Sequence, residues 1–118
     1  MKLFSKKATA EPVPYDDATA YQLGSVHNLS DTLHLVADKM DWADRSQPSP
    51  PVDAKLKWGT DTYGNRAMAV SIGKHVVGYL PRSANDKLTA LLGNGEGRGS
   101  VQFTANRSLL LARCCVAA

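Results

Sequence analysis

Long apolar runs, separated cysteines and clustered histidines are all missing from this 118-residue sequence. No apolar stretch reaches the roughly 18 residues needed to cross a membrane, so we expect no membrane partner. The basic start, MKLFSKKATAEPVP, lacks the apolar segment of a secretory signal, which predicts a cytoplasmic protein. The only cysteines, Cys114 and Cys115, are neighbours that could bridge each other only with strain, so we expect buried free thiols.

Sequence motifs for catalysis and metal binding are also absent. There is no G-x-S-x-G turn or P-loop, and the glycine-rich GNGEGRG at 93–99 follows a predicted helix instead of opening one. The three histidines have no metal-ligand spacing. The adjacent carboxylates Asp16 and Asp17 lie in a polar N-terminal stretch that we expect to be solvated. The sequence therefore predicts a protein that is not an enzyme and holds neither metal nor cofactor.

Positive charge is concentrated in the second half of the chain. Residues 1–54 carry 5 Lys/Arg and 8 Asp/Glu, whereas residues 55–118 carry 9 Lys/Arg and 3 Asp/Glu. A basic half attracts polyanions through its long-range field and through counterion release. The asymmetry is consistent with a nucleic-acid partner, and equally with a solvated surface on which charges are uneven.

Apolar periodicity predicts five or six short strands and two helices. A polar, proline-containing stretch at 1–18 predicts a flexible N-terminal tail before one domain over 19–118. Hairpins in the middle and at the end favour an α+β domain whose antiparallel sheet curls into a small barrel. The strands are predicted at 20–27, 54–58, 67–72, 75–80, 100–104 and 109–116.

Both helices carry start signals. Asn28 or Ser30 can cap the first helix, and Ser83 to Asp86 forms a capping-box-like start for the second. The glycines at 93 and 95 are expected to end the second helix. The proline-rich residues 43–53 predict a loop. The apolar stripes comprise Leu29, Leu33, Val36 and Met40 in the first helix, and Ala84, Leu88 and Leu91 in the second.

Aromatic and basic residues occur together between 55 and 82. A turn at 61–65 carries Tyr63, and a hairpin with the two-residue loop Gly73–Lys74 leads to a strand that carries Tyr79. Single-stranded nucleic acid is bound by aromatic faces for its bases and cations for its phosphates. We therefore predict a nucleic-acid-binding site that uses Tyr63, Tyr79, Lys55, Lys57, Lys74 and Arg82.

The same hairpin resembles the HIRAN domain family, whose signature is an Asn-Pro-Tyr-Asp-x-Asn-Ala turn, an apolar strand and then Val-Gly-Tyr/His-Leu-Pro-Arg. The corresponding residues here are Asp61 to Ala67 and Val77 to Arg82. The resemblance is good over 55–92 and looser from residue 21, where the segment from Leu23 to His27 is similar to the family's first-strand element. It implies a modified OB-like or SH3-like β-barrel of HIRAN type, either alone in bacteria and phages or fused to helicases and nucleases.

The resemblance also implies a clamp for the 3′ end of single-stranded DNA. In that clamp Tyr63 would stack on a base, Tyr79 would make a second contact and His27 would be a further candidate. The sequence departs from the family at two positions. Gly64 replaces the Asp that accepts the 3′-hydroxyl, a hydrogen bond worth roughly 0.5–1.5 kcal/mol, and Arg66 stands where an Asn is common and adds a cation suited to phosphate. We therefore expect looser DNA binding with weakened recognition of a free end.

These observations predict a non-catalytic module that binds single-stranded DNA or DNA ends and recruits or positions other factors in DNA processing such as repair. A helicase or nuclease complex is a further candidate partner. The alternative is a protein-interaction module of mobile-element origin that retains the fold without the DNA site. Steep salt dependence of binding would favour the first function, because neutralising phosphates releases counterions.

Overall fold

Six antiparallel strands and two helices make up the described part of the chain, which in this computed structural model covers residues 13–24, 29–107 and 109–117. The elements are β1 (Tyr21–Gln22), α1 (Ser30–Lys39), β2 (Val52–Thr60), β3 (Arg66–Ile72), β4 (His75–Tyr79), α2 (Asn85–Leu92), β5 (Gly97–Asn106) and β6 (Leu109–Val116). The six strands form one curled sheet with strand order β1-β6-β5-β2-β3-β4. The predicted α+β class with a curled antiparallel sheet is confirmed.

The chain around β1 brings the two edges of the sheet together. Tyr21 and Gln22 pair with β6. Two residues later, the backbone N–H of Gly24 donates to the carbonyl of Tyr79 (2.8 Å), and the N–H of Tyr79 donates back to Gly24 (3.1 Å). One short segment therefore contacts both β6 and β4, which curls the sheet around its core.

The central strands follow the predicted alternation. Leu56 of β2 pairs with Val70 of β3, and both side chains are fully buried together with Met68 and Ile72. Lys55 and Lys57, at the intervening positions, are exposed. The predicted two-residue loop is confirmed, because Ile72 pairs directly with His75 and Gly73 adopts the positive φ of 62° that this tight turn requires.

Helix α1 contacts β4 and β6 and closes the core. Leu33 and Val36 are buried as the stripe predicts, together with Ala37. The predicted cap is wrong for Ser30, which is already the first helical residue, and the position before it, Leu29, makes no capping side-chain hydrogen bond. The other predicted cap, Asn28, lies outside the described residues.

The start of α2 differs from the prediction. Ser83 lies in a 3₁₀ turn, Arg82–Ala84, which leads into the helix, and no side chain caps the helix N-terminus. The turn follows Pro81, and its backbone hydrogen bonds lead into the helix without a side-chain cap. Leu91, predicted on the apolar face, is 46% exposed, and Leu92 packs against the core instead. Gly93, with φ of 61°, ends the helix as predicted.

Two irregular segments are attached to the sheet by buried groups. Ser49, in the loop before β2, exchanges hydrogen bonds of 2.9 Å with the backbone of Phe103, one through its hydroxyl and one through its N–H. In the part of the predicted tail that the structure describes, the N–H of Asp16 donates to the thiol of Cys115 (3.2 Å), which donates to the Asp16 carbonyl (3.1 Å). Residues 16–19 therefore lie against β6.

The two cysteines are buried and free, as predicted. Neighbouring residues in a strand face opposite sides. Cys114 accordingly lies among the core side chains, whereas Cys115 contacts the segment around Asp16.

No helix among the described residues has the length and apolar character to span a membrane.

Candidate functional site

A surface cavity of about 500 Å³ lies where the 61–65 turn meets the end of β4 and the chain around β1. Three of the predicted site residues line it: Tyr63, Tyr79 and Arg82. They are up to 19 positions apart in the sequence. Gln22, Asp61 and Asn65 also line the cavity. Two tyrosines and one arginine therefore meet at one surface cavity.

The turn that carries Tyr63 is held by Asp61. One carboxylate oxygen of Asp61 accepts the backbone N–H groups of Tyr63 and Asn65, both at 2.9 Å. The N–H of Gly64 donates to the Asp61 carbonyl (3.1 Å), and Gly64 has a φ of 85°, a conformation in which glycine is favoured. This rigid turn holds the Tyr63 side chain 78% exposed at the cavity.

A β-bulge in β4 determines which side of the sheet Tyr79 faces. His75 and Val76 pair with Ile72 and Ser71, but the register then shifts, so that Gly78 pairs with Val70 and Tyr79 with Ala69. Without the extra residue, Tyr79 would pair with Met68 and face the core, because a one-residue slip moves every side chain to the other face. The bulge therefore directs Tyr79 outward to the cavity.

Lysines of β2 share a face of the sheet with Tyr79. Lys57 pairs with Ala69, and Ala69 pairs with Tyr79, so the three side chains form one row across the sheet. Lys55 pairs with Ser71 in the next row on the same side. We call this side of β2, β3 and β4, opposite the core, the outer face. The predicted site residues Lys55 and Lys57 are exposed on it, across β3 from Tyr79, and do not line the cavity.

The remaining predicted site residues lie elsewhere. The guanidinium of Arg66 stacks on the Trp58 ring, 3.6 Å from its centroid, and donates to the side-chain oxygen of Asn94 (3.2 Å). Arg66 alternates with Ala67 along β3 and so does not share the outer face. Lys74 is exposed at the tip of the β3–β4 hairpin, and the predicted contact His27 lies outside the described residues.

The sequence predicts that Asp61 lies in the turn but indicates no role for it at the site. A role in holding the turn could have been inferred, because an Asp at the start of a short turn that contains a glycine is typical of a side-chain-stabilised turn. Among residues 13–24, 29–107 and 109–117, no group of three or more His, Cys, Asp and Glu side chains forms a candidate metal site.

No protein-family model, curated protein or solved structure matches this chain.

Proposed function

We propose that this protein binds single-stranded nucleic acid, with single-stranded DNA as the ligand, at the cavity lined by Tyr63, Tyr79 and Arg82. The observation that carries the proposal is the exposed ring of Tyr63, which a hydrogen-bonded turn holds beside a second tyrosine and a cation. A ring this exposed contributes little to the core.

The physical basis is stacking combined with charge. Each base that stacks on an aromatic side chain contributes about 1–3 kcal/mol, and every base offers a suitable face. Because the Asp61 hydrogen bonds already hold the turn, little backbone entropy is lost when a base binds there. Arg82 supplies a guanidinium for a phosphate.

In this proposal the fold is a modified OB-like barrel of HIRAN type, and the protein acts in the cytoplasm as a non-catalytic module that positions DNA for a helicase or nuclease. The resemblance over 55–92 supports it, and so does the meeting of Tyr63, Tyr79 and Arg82 at one cavity. Gly64 supplies no carboxylate for a 3′-hydroxyl, so we expect internal single strands and ends to bind similarly.

Fluorescence anisotropy of a labelled oligodeoxythymidylate, at low and at moderate salt, tests the proposal. We expect salt-sensitive binding that Tyr63→Ala weakens by about 5- to 150-fold, the equivalent of one lost stacking contact. Leu35→Ala is the matched control, because Leu35 is also a large exposed side chain but lies on α1. A strand with a phosphate-blocked 3′ end should bind as well as a free one.

Two results would contradict the proposal. One is no binding at low salt, which would direct attention to a protein partner. The other is equal affinity of Tyr63→Ala and Leu35→Ala, which would mean that the exposed ring makes no contact with the strand.

A further inference from the structure

The outer face runs from Tyr79, which lines the cavity, across β3 to the lysines of β2. Neighbouring strands are about 4.8 Å apart, so two strand spacings place the Cα atom of Lys57 about 10 Å from that of Tyr79. Lys55 is two residues further along the same strand, which adds roughly 7 Å. Lys57 and Lys55 therefore lie on the far side of β3 from the Tyr79 ring, in two successive rows of the outer face.

The side chains between the cavity and the lysines are small. On the outer face β3 presents Ala69 and Ser71, which are half-buried, and β2 presents Gly59 beyond Lys57. No bulky side chain of β3 stands between Tyr79 and Lys57. An extended chain can lie across this surface without displacing any part of the sheet.

The charge of the two lysines is not neutralised within the described part of the molecule. Neither Lys55 nor Lys57 forms an ion pair there, and both are exposed. The carboxylate nearest to them along β2 on this face, Asp53, lies 3.9 Å from the guanidinium of Arg98 and is matched by it. The face next to the cavity therefore keeps two positive charges.

We infer that the sugar-phosphate backbone of a bound strand leaves the cavity across β3 toward β2, where Lys57 and Lys55 contact its first phosphates. The inference rests on the proposed function and adds the path of the strand. Lys74, at the hairpin tip, lies three residues beyond Ser71 of the Lys55 row and five beyond Ala69 of the Lys57 row, roughly 10–16 Å along the hairpin, and is outside this path. Arg66 is also outside it, because its guanidinium stacks on Trp58 away from the outer face.

Substitution of single lysines tests the path. Lys57→Ala, Lys55→Ala and the double variant are compared with Lys74→Ala, which removes the same charge from another exposed position of the sheet. For single strands, each lost phosphate contact makes the negative slope of log K against log salt less steep, reducing its absolute value by about 0.7. We expect that decrease for Lys57→Ala and for Lys55→Ala, about twice the decrease for the double variant, and an unchanged slope for Lys74→Ala.

The outcomes separate the path from the proposed function. If the strand binds and Tyr63→Ala weakens binding as expected, but Lys57→Ala and Lys55→Ala behave like Lys74→Ala, the path is wrong and the proposed function stands. If Lys74→Ala makes the slope less steep by as much as the others do, the lysines act only as general charge and the path is also wrong. If the wild-type protein binds no strand, both fail.

Discussion

Gly78 lies between the β-bulge and Tyr79, and the space that its missing side chain leaves is occupied by Leu23. A Cβ atom at this position would lie 2.7 Å from the Cβ of Leu23 and 3.3 Å from the carbonyl oxygen of Gly24. Those two residues belong to the segment that joins the edges of the sheet. A glycine at 78 is therefore required for β4 to approach that segment and present Tyr79 to the cavity.

We expect Gly78→Ala to lower the free energy of unfolding by about 1–3 kcal/mol, the usual cost of forcing extra atoms into a packed site. Gly59→Ala in β2 is the control, because nothing lies within 4 Å of a Cβ there and it should be close to neutral. Urea unfolding of both variants measures the difference. Equal stability of the two variants would mean that the contact with Leu23 is not tight.

The type of each residue of the candidate site could be predicted from the sequence, but the direction in which its side chain points could not. Aromatic and basic residues in one hairpin indicated Tyr63, Tyr79 and Arg82, and all three line the cavity. The position of Arg66 in the turn motif predicts that it belongs to the same site. Its stacking on Trp58 depends on a partner strand and on the loop after α2, neither of which local spacing reveals.

The loop that follows α2 is attached to β2 and β3 by a small polar cluster. The indole N–H of Trp58 donates to the carbonyl of Gly93 (2.9 Å), and Arg66 reaches Asn94. The amide of Asn85, at the start of α2, donates to the backbone carbonyl of Arg66 (3.0 Å). Both ends of α2 are thereby joined to the start of β3, which indicates a structural role for Arg66.

Arg66→Ala is expected to leave the affinity for single-stranded DNA within about 2-fold, as expected for a residue that makes no phosphate contact. Hydrogen exchange of the Gly93 and Gly95 amides should become faster, because the loop loses its contact with β3. Lys87→Ala, another exposed cation, should change neither quantity. Strong loss of binding with unchanged exchange would place Arg66 in the binding site.

Strands were predictable from alternation, whereas the bulge and the helix starts were not. Buried Leu56, Met68 and Val70 lie where period-two patterning puts them. Strict alternation through β4 would place the Tyr79 side chain in the core. The bulge in β4 turns that side chain to the outer face, and it is visible only from the pairing of β4 with β3. Ser83 looked like a helix cap, but the backbone after Pro81 forms a 3₁₀ turn that starts the helix without it.

Part of the positive charge of the sheet is paired with carboxylates. Asp17 forms an ion pair of 3.2 Å with Arg113 on β6, and Asp53 on β2 lies 3.9 Å from the guanidinium of Arg98. Lys55 and Lys57 stay exposed on β2 and form no ion pair within the described part of the chain. Their two charges can attract a polyanion to the outer face.

The stability of the protein should fall at alkaline pH because of Cys114. Burial, together with the neighbouring Cys115 thiol, raises the pKa of Cys114 to about 12 from its ordinary 9.0. The folded protein therefore holds a proton that the unfolded chain releases above pH 9. The stability that this provides is complete below pH 9 and is lost as pH rises towards 12, by about 1.4 kcal/mol per pH unit at most.

Urea unfolding of the reduced protein at pH 8 and at about pH 10 measures this dependence. The loss of stability between the two pH values should be larger by about 1 kcal/mol in the wild-type protein than in Cys114→Ala, which lacks the titrating thiol. Equal losses in the two proteins would show that the thiol does not contribute.

The binding surface itself is tested most directly by a nuclear magnetic resonance titration of isotope-labelled protein with a short oligodeoxythymidylate. We expect the amide signals that shift to belong to 61–65 and 79–82 at the cavity and to 55–57 on the outer face. Signals of the hairpin tip at 73–75 and of helix α1 should stay in place. Shifts confined to the helices or the hairpin tip, or no shifts at low salt, would contradict this expectation.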